Sequence, residues 1–111
     1  MLIDFNSIDK MTFPGMNGGT GTMTASMYND EKYRIIPSRI HAGGSIGLHE
    51  QTSGDDLNFI LSGKEKALCD GKEEELVPGV LHLCPRGSSH SIVNTGSEDL
   101  VMLTIVVKQK P

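Results

Sequence analysis

The apolar residues of this chain come in short runs, and turn-forming residues break them roughly every 8 to 12 positions, the rhythm of a sandwich or barrel. No stretch of about 12 residues carries the 3.6-residue stripe of an amphipathic helix. The spacing predicts strands at 22–28, 33–41, 45–51, 57–61, 66–69, 74–77, 80–84, 90–93 and 100–107. Asp70-Gly71 reads as a tight turn between two of them. Pro37 lacks an amide donor, which points to an edge or a bulge in its strand. At 111 residues the chain fits one domain. Residues 22–111 are expected to form it, preceded by an extension over 1–21. One helical turn near Ser7 is expected there. Residues 15–21, which hold four glycines, are expected to be a flexible loop without regular structure.

Composition narrows the partners. The net charge is −4 and the basic residues are scattered, so the concentrated positive footprint that nucleic acid requires is missing. No apolar run approaches the roughly 20 residues that span a bilayer, and the first residues lack a signal-peptide pattern. No membrane partner and a cytoplasmic setting are therefore expected. Cys69 and Cys84 form no C-x-x-C pair and read as packing residues. The acidic run Glu73-Glu74-Glu75 reads as a solvated face or loop. The segment 100–107 is apolar on both faces. One face fills the interior; the other needs a second sheet or a second chain, which predicts a homodimer.

Two segments carry the chemistry. Residues 79–94 read Gly-Val-Leu-His-Leu-Cys-Pro-Arg-Gly-Ser-Ser-His-Ser-Ile-Val-Asn. Pro85 ends one strand, Gly87 permits the positive φ of a tight turn, and His90 opens the next strand with Ile92 and Asn94 on its face. In the segment 44–63, His49 and Gln51 share one strand face. A loop at 52–54 then returns Asp55 and Asp56 on a neighbouring strand. His49, Gln51, Asp56 and His90 are thus placed to converge inside one barrel. Asp55 competes with Asp56 for the role.

These segments resemble the two signatures of the cupin superfamily. Gly79, Pro85, Gly87, His90 and Asn94 match the second at every fixed position. A Gly-Pro-Gly set at fixed spacing arises by chance roughly twice in ten thousand starts. Gly44, His49 and Gly63 match the first, with Asp56 where the family has Glu and Gln51 where it has a second His. The resemblance spans 44–94. It implies an all-β double-stranded β-helix, a jelly-roll barrel, with His49, Gln51, Asp56 and His90 as metal ligands.

Two imidazoles, an amide oxygen and a carboxylate suit Mn, Fe, Ni or Zn. The family includes dioxygenases, isomerases, epimerases and decarboxylases. A metal-dependent enzyme of dioxygenase or isomerase type, acting on a small oxygen-rich molecule, is the first expectation. A non-catalytic module binding a sugar or organic acid is the second, and a structural dimer with a decayed site the third. His82 is the one further titratable candidate for an inward position, though an ordinary strand residue is the commoner outcome, as for His41.

Overall fold

The computed structural model describes residues 1–109. Eleven strands follow in order: β1 (Met11–Pro14), β2 (Thr22–Ala25), β3 (Tyr28–Asn29), β4 (Tyr33–Ile40), β5 (Ser45–Glu50), β6 (Gly54–Ser62), β7 (Glu65–Cys69), β8 (Lys72–Leu76), β9 (Leu81–Cys84), β10 (Ser89–Val93) and β11 (Leu100–Lys108). All pairings are antiparallel. The larger, seven-stranded sheet runs β1-β2-β4-β11-β6-β9, with β3 also on β4; the smaller, four-stranded sheet runs β5-β10-β7-β8. This is an all-β jelly roll. Among the described residues no helix is long and apolar enough to cross a membrane.

The core lies between the sheets, where Ile40, Ile60, Leu76, Ile92, Leu100 and Met102 are each at most 2% exposed. It is aliphatic and thioether, as a chain with 5% aromatic residues requires. A two-residue Asp70-Gly71 turn joins β7 to β8 with φ of +49° and +80°, the left-handed pair such hairpins need.

Three local expectations are corrected. Pro37 sits inside the sheet, opposite Leu103, not at an edge. Its carbonyl accepts from Ser26, in the gap where β2 has ended and β3 has not begun. A strand residue turns its N–H and C=O to the same side, so the missing donor falls where no partner strand needs it. That gap also splits the expected 22–28 strand in two. Residues 15–21 are not structureless: they hold a 3-10 turn, Met16–Gly18. Bonds from Gly15 N–H to Gly21 and from Ser45 N–H to Thr20 tie the segment down at 3.0 and 2.8 Å. Finally, β1 was not foreseen. It pairs with β2, so the segment before residue 22 shares a sheet with the barrel.

The N-terminal turn lies directly on β5. A Cβ on Gly47 would collide with the Asn17 carbonyl, so only glycine permits this approach. Met16 and Asn17 thereby reach the rim of the interior cavity.

Candidate functional site

The sheet register brings the first two candidates together. β5 and β10 pair with His49 opposite His90, and the register shifts just after His90. Such a bulge re-aims side chains locally. The ring centroids lie 4.7 Å apart, edge to face, with the Nε2 atoms 3.2 Å apart. The turn that delivers His90 uses Gly87 at φ +90°, and its amide bonds back to the Gln51 carbonyl at 2.8 Å. Asn94 and Gly44, from the two separate motifs, bond to each other across the same strand pair at 2.9 Å.

Asp56 arrives from the opposite sheet. The expectation of a strand neighbouring His49 is corrected here: β6 pairs with β11 and β9, while β5 pairs with β10. Asp56 Oδ2 lies 3.2 Å from His90 Nε2. Gln51 is buried and lines the same cavity. Asp55 points away. It accepts the Arg86 amide at 3.0 Å and the Gln109 side chain at 3.2 Å, on the surface. His41 also lies elsewhere, between Thr24 and Asp99.

The surrounding bonds constrain where protons sit. His49 Nδ1 lies 2.8 Å from the Gly47 carbonyl, which can only accept. Nδ1 therefore carries the hydrogen, and the neutral ring leaves Nε2 as a bare lone pair. Thr104 donates to Asn58 Oδ1 at 2.7 Å, and Asn58 Nδ2 donates to Asp56 Oδ2 at 3.2 Å. Burial pushes the Asp56 carboxyl up, against the lowering influence of the Asn58 bond and of His49, His82 and Arg34. Burial first, then the His49 and His82 imidazoles, lowers His90 to about 4. His90 is thus neutral at ordinary pH, and its contact with Asp56 is no ordinary ion pair.

The cavity has a volume of about 180 Å³. Around the polar group its wall is apolar, including Met23, Ile46, Ile92 and Met102. β4 contributes two polar residues from one face, Arg34 and Ser38. The Ser38 hydroxyl is buried without a hydrogen-bond partner. Buried hydroxyls are rarely left so.

His82 does not line the cavity. It is 1% exposed and packs behind His90, the two rings nearly parallel with centroids 5.2 Å apart. Its Nε2 lies 3.0 Å from His90 Nδ1, and its Nδ1 lies 2.7 Å from Glu74 Oε1. The reading of Glu73-Glu74-Glu75 as a solvated face or loop is therefore corrected for Glu74. The run is strand β8, and strand alternation puts Glu74 on the face of buried Leu76, while Glu73 and Glu75 face solvent. That two-residue periodicity with Leu76 was the available signal.

Donor chemistry suits a transition metal. Two donors about 2.1 Å from one ion, at tetrahedral or octahedral angles, are roughly 3.0 to 3.4 Å apart. Both the His90–His49 and the His90–Asp56 separations are 3.2 Å. Among the described residues no group of three or more His, Cys, Asp or Glu side chains is arranged to hold a metal ion.

The cupin domain family model matches residues 38–106. The chain belongs to the cupin domain family. It is 26% identical over 113 residues to an oxalate-binding protein of Thermotoga maritima, covering 96% of this chain and 93% of that protein. A crystal structure of a predicted oxalate decarboxylase from Thermotoga maritima superposes with a TM-score of 0.89 at 26% identity, covering 98% of this chain and all of that one. A cupin-2 domain from Rhodospirillum rubrum shares the fold, with a TM-score of 0.79 at 18% identity over all of this chain and 78% of that one.

Proposed function

We propose that this protein is a metal-dependent receptor for a small carboxylate, with oxalate the first candidate. The observation that carries the reading is the approach of His49 Nε2 and Asp56 Oδ2, from opposite sheets, each to 3.2 Å from His90 Nε2 in one cavity. A shared cation would relieve the repulsion between electron-rich atoms packed so closely. A divalent ion among Mn, Fe, Ni and Zn would be held by His49, His90 and Asp56, with the Gln51 amide oxygen as the further donor. When bound it supplies positive charge and open positions for an oxygen chelate.

The cavity wall beside Asp56 supports an anionic ligand, because Arg34 stands level with Asp56 with one strand, β11, between them. Arg34 places a guanidinium there, and planar forks of this kind suit carboxylates. The orphaned Ser38 hydroxyl gains a partner from a ligand oxygen. Both the Thermotoga oxalate-binding protein and the predicted oxalate decarboxylase support the same class. Besides Arg34, the titratable side chains on the cavity wall are the donors themselves. That favours binding as the primary role. Catalysis of dioxygenase or isomerase type is the second reading, favoured by the pairing of two His with one carboxylate, the composition of many non-haem iron sites. Oxygen uptake by iron-loaded protein on catechols, enediols and keto acids tests it.

The homodimer belongs to this proposal too. On the outer face of the larger sheet, Phe59 stands opposite Leu81 and Leu103, and Leu57 opposite Leu83 and Ile105. These two apolar rows cross three strands, and Phe59, Leu81 and Leu83 are 41 to 51% exposed. A patch so continuous marks an interface, and a second copy presents the same flat rows to match it.

Calorimetric titration tests the reading. Chelator-stripped protein should take up one Mn²⁺ per chain, and the loaded protein one oxalate. Saturation at about 100 times Kd adds about 2.7 kcal/mol of stability, a rise in Tm on the order of 10 °C. Oxalate binding that is unchanged by metal removal would contradict the proposal.

A further inference from the structure

We infer that Glu74 and His82 are positioning residues that fix the tautomer of His90 and aim its bare Nε2 into the cavity. The chain of contacts crosses the barrel wall. Glu74 is the entry on β8, at the edge of the smaller sheet, with a side chain 39% exposed. His82 stands on β9, at the edge of the larger sheet, with its side chain fully buried. The link between them is 2.7 Å, and that from His82 to His90 is 3.0 Å.

Proton accounting gives the direction. The Glu74 carboxylate only accepts, so His82 Nδ1 carries a hydrogen. In the neutral His82 ring, Nε2 is then an acceptor. With His82 in that neutral form, His90 Nδ1 donates to it, which leaves His90 Nε2 without a hydrogen. His49 reaches the same state through the Gly47 carbonyl. Two rings on different strands are thus held, by unrelated acceptors, in the tautomer with a bare Nε2, the two Nε2 atoms facing each other and that of His90 also facing Asp56. A bare His90 ring would divide between its tautomers and lose part of its donor strength. The His82 and His90 rings lie edge to edge with 17° between their planes, so the same hydrogen bond also holds the ring rotation.

The effect on affinity rests on the metal reading above; the tautomer does not. The test therefore uses both. In chelator-stripped protein, long-range ¹⁵N–¹H imidazole spectra should show His90 with its hydrogen on Nδ1. Glu74→Ala should give His90 a mixed-tautomer signature and weaken Mn²⁺ binding about 10- to 100-fold, the usual cost of losing an outer partner. Glu74→Gln, whose amide oxygen still accepts, should restore most of both. His82→Phe keeps the ring's bulk but not its acceptor and should match Glu74→Ala. If His82→Phe does not fold, the half-exposed Glu74 pair decides alone. An unchanged His90 signature in Glu74→Ala, or an Nε2-bound hydrogen in the wild type, would overturn the inference. Wild-type protein that takes up no Mn²⁺ but shows the expected tautomer would overturn the metal reading and leave this one standing.

Discussion

Strands β6, β9 and β11 differ between their two faces: the outward one carries apolar rows, and the inward one sets a polar group among core residues such as Ile60, Cys84 and Met102. Inward, they present Asp56, Asn58, His82 and Thr104, all under 9% exposed. Outward, they present Leu57, Phe59, Leu81, Leu83, Leu103 and Ile105, in register across the strands. A barrel wall serving only stability would hold no such inward polar group, because buried polar groups cost free energy unless each is bonded. Here each is. Thr104, Asn58 and Asp56 form one hydrogen-bonded series, and His82 uses both ring nitrogens. The inward polarity fits the proposed site, and the outward apolarity fits the proposed second copy.

If the faces act separately, each can be broken alone. The largest effect should come from His49→Ala combined with His90→Ala. Mn²⁺ affinity should fall well beyond the roughly 100-fold that outer-shell changes cost, while light scattering still reports a dimer. On the outer face, Leu83→Glu with Phe59→Glu should yield a monomer by light scattering, with Mn²⁺ affinity held within about twofold; charges buried in an apolar interface are not tolerated. A monomeric wild type would end the comparison.

Smaller changes sharpen it. Thr104→Val leaves the buried Asn58 carbonyl without its donor and should cost about 1 to 3 kcal/mol in urea denaturation. The smallest test uses the thiols. Burial, ahead of Cys69 beside it, pushes Cys84 up to about 12. Cys84 is fully buried while Cys69 is partly exposed. A thiol reagent at pH 8 should modify Cys69 first and reach Cys84 only on unfolding. Because the folded value is raised, the thiol's contribution to stability holds up to about pH 9 and is lost as pH rises toward 12.

The legible parts were those with fixed spacing. His49 and His90 stood out because glycine and proline set the turns before them, and turn chemistry is local. The strands were visible for the same reason, save β1, whose four residues pair only by virtue of where β2 lies. Glu74 was hidden because its partner His82 sits on a different sheet, a contact made by the closing of two edges and by no local pattern. Arg34 and Ser38 were equally silent. Their alternation with Ile35 and Pro37 fixes a face, but only the packed barrel shows that this face opens on the donors.

Crystals soaked in Mn²⁺ and measured at the manganese absorption edge probe the centre itself. The account requires one anomalous peak per chain, within bonding distance of His49 Nε2, His90 Nε2 and an Asp56 oxygen. Crystals that diffract well and show no peak between those three side chains, or show the ion on other residues, would contradict it.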